Sequence, residues 1–202
     1  MLFTGIIAAT TSQAQQEPMY SQYMFNTMAI NPSYAGSRDV LSFTTVGRYQ
    51  WLGVEGSPKT WSFTLDMPVK NEKMGIGLAA YSDGLGLQEN VGLSVAYSYK
   101  VKVGEKTTLS LGVSPGIHKM GWRLSDVQNL TDEDNVFDAM NNINRLFPNV
   151  GAGFFLSNDK SYIGFSVPQI VQQKLNVFDS EDRIGVSKTY RHYYTMMGFV
   201  LG

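Results

Sequence analysis

The fold class predicted for this 202-residue chain is all-β: an antiparallel transmembrane β-barrel of the outer-membrane type, with about eight strands in the sequence. Three observations predict it. From Val40 onward, apolar residues alternate with polar or very small ones at period two, the spacing of a strand with two unlike faces. The connections between these stretches alternate between tight turns and long polar loops, as in a barrel with short turns at one end. No segment approaches the roughly 20 apolar residues that a spanning helix needs, so strands would have to make any membrane passage.

In chain order, residues 1–14 are expected to be a signal peptide. The apolar stretch Leu2 to Ala9 leads to Ser12-Gln13-Ala14, a small-x-small cleavage pattern, although the basic n-region is missing. Residues 15–39 are expected to form a short periplasmic or plug-like segment. Within it, Gln16 to Ile30 reads as a short helix whose Tyr20, Tyr23, Met24, Thr27 and Met28 stripe is too weak to stand alone in water, so it needs a surface to lie on. Asn31-Pro32-Ser33-Tyr34 reads as a turn, because the residue before proline is pushed out of the helical region. Amphipathic tyrosine and adaptable methionine suit packing into a barrel mouth or onto a partner.

Residues 40–202 are expected to be the barrel. In the first strand Leu41, Phe43, Tyr49 and Trp51 share one face, opposite Ser42, Thr44, Arg48 and Gln50. The second sets Trp61, Phe63, Leu65 and Met67 against Ser62, Thr64 and Asp66. The clearest sets Val91, Leu93, Val95, Tyr97, Tyr99, Val101 and Val103 against Gly92, Ser94, Ala96, Ser98, Lys100 and Lys102. Further strands are expected at Met74 to Asp83, Thr107 to Trp122, Asn149 to Ser157, Ser161 to Val167 and Tyr190 to Leu201, with long polar loops from Leu124 to Leu146 and from Pro168 to Lys188. Tyr49, Trp51, Trp61, Tyr97 and Tyr99 fall at or near strand ends, where an interfacial aromatic girdle would lie.

A soluble β-sandwich also alternates, but its outer face meets water and usually carries many charges. Here the non-apolar face is Gly, Ser, Thr and Ala with scattered charges, which suits a crowded lumen. Arg48, Gln50, Asp66 and Lys100 are therefore expected to face that lumen.

Composition and motifs argue against most chemistry. With 16 Lys+Arg against 17 Asp+Glu there is no electrostatic footprint for nucleic acid. There is no cysteine, hence no disulfide or thiolate site, and the two histidines, His118 and His192, have no third ligand at metal spacing, so neither a metal nor another cofactor is expected. The Asp132 to Asn135 run starts like a calcium loop but lacks the glycine at position six and the glutamate at position twelve. Neither Gly75-Ile76-Gly77 nor Gly84-Leu85-Gly86 completes a nucleotide fingerprint. Gly112-Val113-Ser114-Pro115-Gly116 matches G-x-S-x-G, but a nucleophile elbow needs a helix after it and the following residues have no helical period; Pro115 and Gly116 are expected to mark a bulge or kink. No catalytic residue is assigned.

The order Gln16-x-Pro18-x-Tyr20-Ser21-Gln22-Tyr23-Met24-Phe25-Asn26, then Asn31-Pro32-Ser33-Tyr34-Ala35-Gly36, resembles the mature N-terminus of the PorP/SprF family of outer-membrane proteins. Arg48-Tyr49-Gln50-Trp51, Gly56-Ser57-Pro58 and the Tyr162 to Ile170 stretch are similar to that family's later blocks. The resemblance implies a non-enzymatic barrel of the type IX secretion system in the outer membrane of a Gram-negative bacterium. It also implies a part in export or surface anchoring of large adhesins, including those of gliding motility, with secreted adhesin cargo, periplasmic secretion components and outer-membrane lipid as partners. Tyr20, Tyr23, Phe25, Asn31, Pro32 and Tyr34 are the candidate partner-binding residues. Such relatives run on for roughly a hundred further residues, several more strands at ordinary strand length, so the C-terminal part of the barrel is expected to lie beyond Gly202. The alternatives are a small outer-membrane lipid hydrolase or acyltransferase using Ser114 with His118 or His192, and a passive porin.

Overall fold

The computed structural model describes residues 25–69, 72–123, 143–176, 186–189 and 191–200. Among the described residues ten strands form in chain order: β1 (Ser42–Tyr49), β2 (Lys59–Val69), β3 (Met74–Leu85), β4 (Gln88–Lys102), β5 (Thr108–Trp122), β6 (Ile143–Ser157), β7 (Ser161–Val167), β8 (Lys174–Asn176), β9 (Val186–Lys188) and β10 (Tyr194–Phe199). Eight of them make one antiparallel sheet in the order β1-β2-β3-β4-β5-β6-β7-β10, and β8 pairs only with β9. The sheet curls into a half-barrel. Among the described residues, no helix is long and apolar enough to cross a membrane.

The connections at one end of the sheet are residues 70–73, 103–107 and 158–160; those at the other are 50–58, 86–87, 123–142 and 168–193. One end is thus short-turned throughout. The other carries the long connections, with the β3–β4 hairpin as its one tight turn. β1 starts at the short-turn end, so the segment preceding it enters from there.

Burial in this sheet is inverted relative to a water-soluble domain. The residues with side chains on the concave face include Ser62, Thr64, Asp66, Ser98, Ser110, Asn149 and Ser166, all buried. The opposite face shows Phe43, Tyr49, Trp61, Leu93, Val95, Tyr97, Tyr99, Leu111, Val113 and Ile117, all exposed. A soluble protein rarely presents an apolar surface this continuous, whereas a lipid-facing barrel wall must. The alternation in the sequence is therefore realised with its apolar side outward. Tyr49 and Trp61 meet edge to face at 5.8 Å near the long-loop end, and Tyr97 and Tyr99 face outward toward the short-turn end, which places aromatics at both margins of the apolar band.

Four expectations are corrected. β6 begins at Ile143, inside the stretch expected to be loop up to Leu146. The Pro168 to Lys188 loop contains the β8–β9 hairpin. Of the bulge or kink expected at Pro115 and Gly116, the bulge is absent: the β4–β5 ladder is interrupted at Ser114 and Pro115, the latter with no N–H to donate, but the register is the same on both sides, Ser94 opposite Gly116 and Tyr97 opposite Val113. Nor do the described residues of the expected Gln16 to Ile30 helix form one; they give a turn and a single 3-10 turn at Thr27–Ala29. The Gln16 to Met24 part of that helix, the signal peptide of residues 1–14 and the Asp132 to Asn135 run lie outside the described residues.

If the outer face meets lipid, a Val95→Arg substitution near mid-membrane should destabilise the inserted fold by about 2 to 4 kcal/mol, and Ser94→Arg, on the concave face, by much less. A denaturant titration of refolded protein in lipid compares the two, and equal penalties would contradict the assignment.

Candidate functional site

Residues 25–36 lie on the concave face, and their chemistry follows from proline and asparagine. Asn31 is extended, Pro32 opens a second 3-10 turn at Pro32–Tyr34, and the Asn31 side chain caps it by accepting from the Ser33 N–H at 3.1 Å. These turns satisfy part of their own backbone groups, as in Ile30 N–H to the Thr27 carbonyl and Ala35 N–H to the Pro32 carbonyl, and the sheet supplies partners for others. Asn31 Nδ2 donates to the Phe154 carbonyl at 3.1 Å, Ser110 Oγ to the Ser33 carbonyl at 2.6 Å, and Ser98 Oγ to the Ala35 carbonyl at 2.7 Å. Upstream, Asn26 donates to Ser62 Oγ at 3.3 Å and accepts from Thr64 Oγ1 at 2.7 Å. The first 3-10 turn touches β2 and β3 and the second touches β4, β5 and β6, so a single segment spans the curl of the sheet.

Gly36 ends this run at a positive φ of 67°, the left-handed region that glycine adopts without penalty. Two of the charged residues expected to face the lumen hold it. The Asp66 carboxylate accepts from the Gly36 N–H at 2.8 Å, and the Lys100 ammonium donates to the Gly36 carbonyl at 2.6 Å and to Asp39 Oδ1 at 2.8 Å. Charge-assisted bonds of this kind are roughly twice as strong as neutral ones. Arg48 and Gln50 take the same concave side of β1 and its extension, both half-buried.

A backbone can come this near a sheet only where the side chains beneath it are minimal. The register provides such a row: Gly75 is opposite Ser98, Ser98 opposite Gly112, Gly112 opposite Gly153, and Gly153 opposite Ser166. A Cβ at Gly75 would overlap the Ala35 carbonyl, one at Gly112 the Ser33 backbone, and one at Gly153 the Asn31 side chain. In the sequence these glycines stand out only as strand and turn residues. What they share is one row, which needs the strand register to be seen.

The segment also supplies half of the small apolar interior. Met28 and Ala35 pack with Ala96, and Ile30 packs with Phe155 and Met196. Tyr34 borders both groups and meets Phe155 edge to face at 5.3 Å, with the Arg38 guanidinium 5.9 Å from its ring.

Of the six candidate partner-binding residues, Asn31 and Pro32 are buried against the chain's own sheet, Tyr34 is half-buried, and Phe25 is 62% exposed. Tyr20 and Tyr23 lie outside the described residues.

Toward the long-loop end the concave face is covered by the chain after β7. Asn149 Nδ2 donates to the Pro168 carbonyl at 2.8 Å and the Ile170 N–H to the Val150 carbonyl at 3.0 Å. His118 Nδ1 lies 3.0 Å from both Tyr81 Oη and Gln169 Nε2. Two cavities of about 40 and 50 Å³ adjoin this cluster, room for a few waters and too little for an acyl chain. Ser114 sits in the middle of β5, which runs on as strand to Trp122. The strand-to-helix turn that a serine nucleophile requires is therefore replaced by continuous strand, and His118 is engaged by Tyr81 and Gln169. Among the described residues no group of histidines and carboxylates could hold a metal ion.

A family model described as type IX secretion system membrane protein PorP/SprF matches residues 12–202. No curated protein and no solved structure matches.

Adding a methyl group beneath the segment should lift it off without breaking the strand. A thiol introduced by Ser33→Cys is expected to stay unlabelled by a soluble maleimide while Gly112 is retained. Adding Gly112→Ala should make that thiol react, with heat-modifiable mobility kept. Asn31→Ala, which strips three hydrogen bonds and leaves the Phe154 carbonyl without its side-chain donor, should weaken docking by about 1 to 3 kcal/mol, seen as faster amide exchange at Ser33 and Gly36. Unchanged labelling and exchange in both variants would refute this account of the segment.

Proposed function

The chain belongs to the PorP/SprF family of type IX secretion system membrane proteins, and from that premise we propose that it works in the bacterial outer membrane, assisting export or surface anchoring of large adhesin-type cargo of the gliding kind, without catalysing a reaction. The observation that carries the location is the inverted sheet, with polar side chains buried on the concave face and apolar ones exposed on the convex one. Its uniformly short-turned end corresponds to the periplasmic side of an outer-membrane barrel and its long-loop end to the cell surface. The segment of residues 25–36 then acts as a lumenal plug entering from the periplasm, and periplasmic secretion components meet the chain on that side.

The two alternatives meet specific obstacles. A lipid hydrolase needs a nucleophile elbow and space for a lipid, and around Ser114 there is continuous strand and cavities of about 50 Å³ or less. A passive porin needs an open lumen, and here the concave face is covered by residues 25–36 from one end and by the Pro168 to Gln173 stretch from the other.

Partner contact is assigned to the aromatic start of the mature chain, where Phe25 is exposed. Truncating an aromatic anchor typically costs about 1 to 4 kcal/mol of binding. Tyr23→Ala with Phe25→Ala should therefore leave the protein inserted and heat-modifiable but reduce the adhesin displayed on whole cells. Undiminished display would remove the partner role of these residues, and failed insertion would make them part of the barrel's own fold. Orientation is checked separately: Asn135→Cys should react with an impermeant maleimide on intact cells, and labelling only after outer-membrane rupture would invert the topology.

A further inference from the structure

At the short-turn end, beside the point where the leading segment turns into β1, the concave face opens into a cavity of about 570 Å³. That is within the range of about 300 to 1,000 Å³ that ligand sites occupy, and it is far larger than the cavities of about 40 and 50 Å³ near His118. Its lining is charged and positive on balance: Lys73, Lys100 and Lys102 against Asp39 and Glu72. The Asp39 carboxylate is already held by Lys100. Lys100 and Lys102 belong to the concave side of β4, two residues apart in the alternation that also points Ser98 inward, so their charge is directed into the cavity and away from lipid. Thr108 and Ser157 add hydroxyls, and Phe155 and Ser110, whose O–H is held by the Ser33 carbonyl, also line it.

We propose that this cavity is a docking site for a carboxylate-rich segment of a periplasmic protein, with Lys73 and Lys102 as its cationic contacts. The hydroxyls of Thr108 and Ser157 would accept from or donate to the incoming backbone, and the ammonium groups give attraction and on-rate. An anionic lipid headgroup has the same charge and is the competing occupant, since the lining also takes in Tyr99 and Val101 of the convex face; the vesicle competition below separates the two. The compartment named here rests on the outer-membrane reading above; the cavity and its charge do not.

The test uses the full chain in detergent micelles and a fluorescein-labelled oligoglutamate peptide, read by anisotropy at low salt. Binding is expected, weakened about tenfold or more by Lys73→Glu with Lys102→Glu, and kept within about twofold by Lys106→Glu, because Lys106 sits on the turn outside the cavity in an exposed pair with Asp159. Lys100 is left intact, since it holds Gly36. Both variants must first show heat-modifiable mobility equal to the parent's; if the double variant does not fold, Lys73→Gln alone replaces it, with a loss of about threefold expected. Binding no tighter than that of an oligoserine peptide, equal loss from Lys106→Glu, or full competition by phosphatidylglycerol vesicles would each overturn the proposal. Adhesin display on cells separates the two readings. Display that persists in the double variant while peptide binding is lost removes this site but leaves the secretion role. Display unaffected by deleting the whole gene removes the secretion role, with the peptide measurement still standing.

Discussion

Everything described here depends on how closely one stretch of backbone can approach a β-sheet. Residues 31–36 run over the concave face with main-chain atoms nearly in contact with those of the strands, and this is possible only because Gly75, Gly112 and Gly153 have no side chains to interpose. The benefit is polar. A non-helical segment inside a barrel would otherwise leave carbonyls without partners, and buried unpaired groups cost about 1 to 3 kcal/mol each. Ser98, Ser110 and Lys100 each reach one of them. The segment and the face beneath it are complementary in hydrogen bonding and in shape.

That complementarity also explains why a lumen can be mostly polar yet solid. Besides Pro32 and glycines, the interior has six buried apolar residues among those described, Met28, Ile30, Ala35, Ala96, Phe155 and Met196, and three of them come from the leading segment. Apolar area is concentrated on the outer wall. Cohesion inside comes instead from short hydroxyl and amide contacts, with the Asp66 and Lys100 charges placed on either side of Gly36. Such groups hold firmly where they are partnered, and the segment partners Ser98 and Ser110 among them.

The sheet is largely legible in the sequence, and the site is not. All eight strands of the main sheet follow from alternation, because a two-faced wall writes its period into the chain. The start of β6 is hidden because Ile143 to Pro148 carries Asn144 and Arg145 on one side of Phe147 and a proline on the other, which blurs that period. β8 and β9 are three residues each, too short to have one. Asp66 and Lys100 are identifiable as inward-facing, but their shared partner is not: Gly36 lies 30 and 64 residues away, and nothing in linear spacing joins them. The small-residue row has the same difficulty in stronger form, since it exists only once five strands are aligned.

Strand alignment also governs how the protein reaches its folded state. The leading segment is the first described part of the chain, yet Asn31 must find Phe154 at a separation of 123 residues, and contacts this distant form slowly. It bonds to β2 through Asp66, β4 through Ser98, β5 through Ser110 and β6 through Phe154. Sliding β5 by two residues would keep every side chain on its proper face, the kind of error that alternation cannot detect. It would, however, bring Ser110 or Ser114 under the Ser33 backbone in place of Gly112 and move the donor away from the Ser33 carbonyl. The segment therefore fits only when four strands have settled correctly with respect to one another. Its seated position thus reads the register of those four strands at once.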